Sequence, residues 1–533
     1  MLHEVGAQQD LGPFECSPQA AEAVKARHGD GVEILNNDGA TAMARVRYRV
    51  TIFIPKAMNT DFFVGVQIPT SWDAARYGIP PEVLAHTDPA TLYVLVCVVE
   101  AFLSAGITEV YELYKYLHVS EVGNCIGSSA GGGTAAELFM KQRLLGKEVR
   151  SDILAETFAA AGTCATSIES LDTACELITS GRSKMCLVGG HDAFVSSIFY
   201  EFGELGALGN ATKEARSGRE PHEMSRPFTS TRGGFAFGDS VGIQVVCTAA
   251  LALEMGLPIY GVVAMTHMAG DKLGRSVPAP GRGLLTAAKQ SSASALPSVL
   301  LDPSLRAQRI SSPLTHADRR AEEDEVAGIR EATRLEKKAI RRTLGHNYWI
   351  GHRGILPIAG ALLVFGLGVD DITFASLHGT GTRLNDKSVV GHGLSAAGAW
   401  AINGALQAMH AVLIPGNRNA DDIDRELEAF DQLLLANENI AVQPKDMKAF
   451  SVTSFGIGPK GAQVLVVHPR YVYAALSDEQ YHAYRSEQMA RARVASRALD
   501  RVFHGQSLVQ AKEETPYVSD EHDFLLDPLA RAS

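Results

Sequence analysis

The sequence predicts an α/β protein whose sheets are covered on both faces, and two observations carry that prediction. Short β-branched runs that end in glycine or polar residues, MCLVGGHDA (185–193), GIQVVCTAA (242–250), ITFASLHGTGT (372–382) and AQVLVVHP (462–469), alternate with longer amphipathic stretches. Strands that read as continuous apolar runs are buried on both faces, as happens when helices cover a sheet. The composition of 46% hydrophobic, 20% charged and 7% aromatic residues agrees, and it excludes a disordered, collagen-like or coiled-coil chain.

The remaining elements follow in chain order. The apolar stretches ATLYVLVCVVEAFL (90–103) and GILPIAGALLVFGLGV (354–369) are interrupted by Glu100 and Pro357. Both fall short of the ~20 apolar residues of a membrane span and read as buried core. The segment near 304–345 is rich in both charge signs and reads as a solvated helix with many i,i+4 pairs. A second mixed-charge helix is expected from about 478, followed by polar chain.

Charge and cysteine usage narrow the class. Lys and Arg number 49 against 60 Asp and Glu, a net charge of −11. That balance argues against a general nucleic-acid or anionic-membrane binder, which needs positive potential. The seven cysteines (16, 97, 125, 164, 175, 186, 247) form no CxxC pair, which suits reduced thiols rather than a disulfide framework. MLHEVGAQQDLGPFE has no apolar core, so no secretory signal and a cytoplasmic location are expected.

The sharpest chemical signal is AGTCATSIESLDTACELITSGRSK (161–184). From Ser167 the apolar residues keep a helical spacing, and Gly181 is placed to stop the helix. Cys164 therefore falls at or just before a helix N-terminus, where the helix dipole favours a thiolate nucleophile. A small buried cysteine is the bland alternative, and the preferred one for Cys97, Cys175, Cys186 and Cys247. A thioester-forming thiolate needs groups that handle charge on a second substrate, and histidine suits that near neutral pH. His378 follows a strand and precedes Gly379-Thr380-Gly381-Thr382; His392 opens the small-residue run GLSAAGAWAINGALQAMH. Fourteen residues separate them, which excludes a zinc pair on one helical turn. The glycine-rich GNCIGSSAGGGTAAE (123–137) lacks the residues of a P-loop or dinucleotide fingerprint, and no metal-ligand spacing appears.

Cys164 in GTCATSIES, His378 in LHGTGT and His392 in GHGLSAAGAW together resemble the Cys-His-His triad of the β-ketoacyl synthases of the thiolase superfamily. The resemblance is to the ketoacyl synthase region of the fungal type I fatty acid synthase alpha subunit. It extends through YKYLHVSEVGNC, EMSRPFTSTRGGFAFGDSVG, IPGNRNADD, AFSVTSFGIGPKGAQ and LDPLARAS. The resemblance implies a thiolase-like duplicated five-layer αβαβα fold, with segments contracted before Cys164 and between His378 and His392. It divides the chain into an N-terminal extension (1–60), a half with the nucleophile (61–255), a half with both histidines and the charged helical insertion (256–470), and a tail (471–533).

The activity so implied is a decarboxylative Claisen condensation of a Cys164-bound acyl group with malonyl on acyl carrier protein, in fatty acid biosynthesis. Neutral His378 and His392 would steady the enolate, and the N–H groups of Cys164 and Phe455 would hold the thioester oxygen. Lys387 stands five residues before His392, as the family's catalytic lysine does, and also follows Asn385-Asp386, where fungal relatives carry a different lysine. Phe455, Gly456 and Ile457 take the place of the family's F-G-F gate. No metal and no directly bound cofactor is implied, because the carrier's phosphopantetheine arm delivers both substrates. The partners implied are acyl carrier protein, a second copy in a homodimer and the fatty acid synthase beta subunit, with neither nucleic acid nor membrane. Two other readings stand beside this one: a non-catalytic or truncated alpha-subunit fragment, and a cysteine hydrolase.

Overall fold

The computed structural model describes residues 2–6, 10–37, 39–47, 51–55, 61–62, 64–69, 71–129, 131, 133, 137, 164–271, 282–287, 301–323, 327–350, 352, 354–379, 394–427, 429–430, 434–456 and 460–510. The contractions expected directly before Cys164 and ahead of His392 lie outside these.

The chain begins with β1 (Leu2–Gly6) and β2 (Leu11–Cys16), then α1 (Pro18–His28), β3 (Val32–Asn37), β4 (Ala42–Val46) and β5 (Thr51–Pro55). Strands β2, β4 and β3 form one small antiparallel sheet, and β1 pairs β5. The main body follows. Its first half holds α2 (Pro81–His86), α3 (Pro89–Ser104), β6 (Val122–Gly127), α4 (Thr166–Thr179), β7 (Met185–Asp192), α5 (Ser196–Glu204), α6 (Ala211–Arg216), β8 (Ser240–Cys247) and α7 (Ala249–Glu254). Its second half holds β9 (Val262–Gly270), α8 (Pro303–Glu323), α9 (Ala327–Ile340), α10 (Pro357–Leu363), β10 (Ile372–Ser376), α11 (Ala397–Ala411), the short pair β11 (Leu413–Ile414) and β12 (Ile440–Ala441), β13 (Ala449–Gly456) and β14 (Lys460–Val467). Then come α12 (Arg470–Tyr473) and α13 (Asp478–Phe503).

The two halves repeat one pattern. In the first, β6 runs parallel to β7 and β8 returns antiparallel. In the second, β10 runs parallel to β13 and β14 returns antiparallel, with β9 added on the far edge. Each half places a helix before its second strand, α4 before β7 and α11 before β13. Those two helices lie together between the sheets. Ile168, Leu171 and Ala174 of α4 and Ile402, Ala405 and Met409 of α11 bury against Cys186 and Val188 of one sheet and Phe450, Val452 and Val464 of the other. Gly398 permits the close helix approach, because a Cβ there would stand 2.9 Å from Ile168 Cγ1.

Outer layers complete the sandwich. Phe102 of α3 and Leu251 of α7 bury against Met185 on the first sheet; Ile358, Ala361 and Leu362 of α10 bury with Met265, Ala449 and Leu465 on the second. Helix, sheet, helix pair, sheet and helix make five layers, the thiolase-like arrangement. Burying a Leu, Ile or Phe side chain is worth roughly 1.5–3 kcal/mol, so the layers are held chiefly by apolar packing.

Local signals explain the helix ends. Asp88 caps α3 by accepting from the Ala90 N–H at 2.9 Å, with Pro89 in its first turn. Gly181, at φ +83°, closes α4, and the Arg182 N–H reaches back to the Leu177 carbonyl at 2.9 Å. The charged segment near 304–345 differs from a single solvated helix. It is two antiparallel helices, α8 and α9, joined by ion pairs from Arg320 to Glu336 at 2.5 Å and from Lys337 to Asp318. Its charges are thus partly spent on holding two helices side by side. No helix among the described residues is long and apolar enough to cross a membrane.

Candidate active site

Cys164 immediately precedes α4, as its spacing predicts. The helix is capped by Ala165, which has no side-chain acceptor to offer the first-turn N–H groups. The partial positive charge of a helix N-terminus therefore falls beside the sulfur. Cys164 is only 5% exposed and belongs to an apolar cluster with Phe202, Leu208, Phe235, Phe237 and Leu394. The rings of Phe202 and Phe235 meet edge to face with centroids 5.4 Å apart. An aromatic cluster of this kind keeps water from the sulfur.

His378 sits two residues past the end of β10 and is 7% exposed. One hydroxyl ties it to the nucleophile: Ser454 Oγ, at the end of β13, donates to the Cys164 carbonyl at 2.7 Å and lies 3.2 Å from His378 Nδ1. A serine has one proton to give. Since that proton goes to the carbonyl, Nδ1–H must donate to Oγ, and the neutral ring then offers Nε2 as an acceptor. His378 donates at Nε2 only as an imidazolium. The adjacent Phe455 stands edge to face with the imidazole, centroids 6.0 Å apart. Gly456, which ends β13, is buried.

A buried carboxylate joins the two halves behind the site. Asp192, at the end of β7 and 1% exposed, accepts from Ser128 Oγ at 2.9 Å, from the Ser129 N–H at 2.9 Å and from the Ser395 N–H at 2.7 Å. Ser129 and Ser395 hydroxyls meet at 2.5 Å, and Ser167 of α4 donates to the Ser395 carbonyl. Leu394 adopts φ +40° just ahead of this junction, a conformation costing about 1–2 kcal/mol that the surrounding network must hold.

The structure thus brings together Cys164, His378 and Phe455, with Gly456 one residue beyond. His392, Lys387 and Ile457 lie outside the described residues. Sequence reasoning missed Ser454, Asp192 and Ser395. The first sits inside the quoted motif AFSVTSFG and the second ends a predicted strand, so strand-end polar residues were the available signal. Among the described residues no cluster of His, Cys, Asp or Glu could hold a metal.

A fold of two sheets around a central helix pair, with a cysteine at one helix start, is the ketosynthase class of thiolase-like architecture. The noncanonical ketosynthase FabY from P. aeruginosa has the same fold, with a TM-score of 0.66 over 98% of this chain and 78% of that one, at 19% identity. Residues 54–252 match the family described as beta-ketoacyl synthase, N-terminal domain. The whole chain is similar to fatty acid synthase subunit alpha: 40% identical over 609 residues in Schizosaccharomyces pombe, covering 33% of that protein, and 42% over 603 residues in Gibberella zeae, covering 38%. The Saccharomyces cerevisiae subunit is 38% identical over 605 residues, 32% of its length. Residues 54–252 thus match a β-ketoacyl synthase domain, and the chain as a whole is similar to the fungal fatty acid synthase alpha subunits.

The chain spans about one third of the length of these curated relatives. The S. pombe alignment extends over 609 positions against 533 residues here, so about 76 positions of the relative have no counterpart.

Proposed function

We propose that the chain is a 3-oxoacyl-[acyl-carrier-protein] synthase acting in fatty acid biosynthesis, with acyl carrier protein as substrate carrier. The observation that supports this most is the Ser454 bridge, which holds the carbonyl of a helix-start cysteine and the ring of His378 in one hydrogen-bonded unit.

In this reading His378 Nε2 takes the Cys164 thiol proton, and the thiolate attacks the acyl thioester carbon. The carrier sulfur leaves as thiolate, so His378 keeps the proton as imidazolium, and the acyl group rests on sulfur within the phenylalanine box. Malonyl on a second carrier then loses carbon dioxide. The resulting enolate is held by the His378 imidazolium and by His392, with Lys387 beside it. The enolate carbon forms the new bond to the acyl carbonyl, and Cys164 leaves as thiolate. The N–H groups of Cys164 and Phe455 hold the developing oxyanion, a role typically worth about 2.7–4 kcal/mol per donor. Phe455, Gly456 and Ile457 gate the acyl side. The chemistry needs no metal and no directly bound cofactor, only the phosphopantetheine arm of the carrier. A homodimer, the beta subunit as further partner, and a cytoplasmic location complete the proposal.

Release of carbon dioxide together with a chain-extended β-ketoacyl product from acyl- and malonyl-carrier tests it. Wild type should form that product, and Cys164→Ala should not. Free fatty acid without extension would favour a cysteine hydrolase. A second reading, a non-catalytic or truncated alpha-subunit fragment, is favoured by the 76 missing positions and by a cavity of about 2600 Å3 that opens beside His378 and Ser454. A folded, cooperatively melting protein with no turnover would select it.

A further inference from the structure

The end of the β13–β14 hairpin meets the start of α4 at two points. The first is the Ser454 hydroxyl on the Cys164 carbonyl. The second is an ion pair, in which Lys460 Nζ lies 2.9 Å from Glu169 Oε2. Lys460 opens β14 and is the Cα partner of Gly456 across the hairpin and of Gly270 on β9, so its backbone is held by a strand on each side. Glu169 stands in the first turn of α4, beyond Cys164 in the chain. Phe455 and Gly456 lie between the two points of attachment.

The two partners are unequally covered. The Lys460 side chain is 46% exposed and that of Glu169 only 17%, and Glu169 Oε1 is buried without a hydrogen-bond partner among the described residues. An ion pair with one end in water adds little to folding, so stability alone gives this lysine no strong reason to reach the nucleophile's helix. Geometry gives one. A single hydrogen bond from Ser454 to Cys164 is a pivot about which the hairpin end can turn, and a second contact removes that freedom. Phe455 is what turning would move. Its ring packs on Gly461, where a Cβ would come within 3.1 Å of Phe455 Cδ1, and faces His378. The ring and its backbone therefore travel with the hairpin.

We propose that Lys460 is a positioning residue: through its ion pair with Glu169 it fixes the hairpin end, and with it the Phe455 N–H, relative to Cys164. This rests on the condensing-enzyme reading, in which that N–H holds the thioester oxygen, and adds the residue that sets its place. Losing one such donor outright costs roughly a hundred- to a thousandfold in rate. A donor displaced rather than lost costs less, about tenfold.

Two reactions of Cys164 separate this role from a structural one. Acylation from a pantetheine thioester needs the oxyanion donors, whereas alkylation by iodoacetamide needs the thiolate alone. Both are measured on the full chain for wild type, Lys460→Arg, Lys460→Met and Lys460→Met/Glu169→Gln. The double variant leaves no carboxylate without its cation, so it carries the test if Lys460→Met alone does not fold. The expected result is a saturating acylation rate about tenfold lower in the double variant, with KM for the thioester and the alkylation rate within about twofold of wild type. Lys460→Arg should keep the wild-type rate. Equal acylation in wild type and the double variant overturns the proposal. So does a Lys460→Arg variant as slow as the double variant, or a parallel fall in acylation and alkylation, which would mark a general loss of the helix start. A wild type that is alkylated but not acylated removes the condensing-enzyme reading and this inference with it, whereas acylation at one rate in wild type and double variant removes this inference alone.

Discussion

The Ser395 N–H donates to Asp192 Oδ2 at 2.7 Å across 203 residues of sequence, so one buried carboxylate fastens the start of α11 to the end of β7. Each half of the repeat contributes one partner, and the candidate nucleophile sits at the seam between them.

Asp192→Ala leaves two backbone N–H groups and the Ser128 hydroxyl without their acceptor. Each unsatisfied buried donor costs about 1–3 kcal/mol, so the expected loss is about 3 kcal/mol or more, read from denaturant melts. A loss within the ~0.5 kcal/mol of an ordinary surface change would contradict the role assigned to the carboxylate.

Ser454→Ala tests the bridge. Stability should fall by about 1 kcal/mol, because the Cys164 carbonyl loses its donor. The imidazole loses its Nδ1 acceptor and its fixed tautomer at the same time. The acylation rate constant should therefore drop at least about tenfold, equivalent to 1.4 kcal/mol, while KM for a pantetheine thioester stays unchanged. An unaltered rate would show that Ser454 is only structural.

Gly190 faces the same junction. A Cβ there would collide with the Ser395 carbonyl and come within 2.6 Å of Ser167 Oγ. The carbonyl belongs to the backbone and has little room to yield. Gly190→Ala should cost about 2 kcal/mol by overpacking, seen as a lowered Tm. An unchanged Tm would mean the two helix starts are not held as described.

His468 gives a pH dependence. Its Nδ1 accepts from the Arg470 N–H at 3.1 Å, which requires the unprotonated atom. Burial first, then Arg470 and His410, hold its pKa down at about 4, against an ordinary 6.5. The unfolded chain therefore binds a proton below pH 6.5 that the folded chain refuses until about pH 4. Stability should fall on acidification through that window and be insensitive to this group above it. His468→Asn, whose amide oxygen can accept from Arg470, should flatten the slope. An equally steep wild-type and variant profile would refute it.

Much of the arrangement was legible because it is periodic or local. The apolar spacing from Ile168 to Ile178 and the stop at Gly181 placed Cys164 at a helix start, and the run ITFAS placed His378 beyond a strand. Ser454, Asp192 and Ser395 were not legible. Each is one polar residue at the end of an apolar element, with no spacing rule linking it to partners that stand 290, 63 to 203, and 228 residues away. The charged segment was read as one helix because charge periodicity looks the same in α8 and α9. Only the pairs between Arg320 and Glu336, and between Asp318 and Lys337, reveal the reversal of direction.

Intact-mass spectrometry after incubation with a long-chain acyl thioester tests the central assignment most directly. The account predicts a gain of one acyl group, mapped to Cys164 by peptide analysis and absent from Cys164→Ala. A folded wild-type protein that stays unmodified, or carries the acyl group on another cysteine, would contradict it.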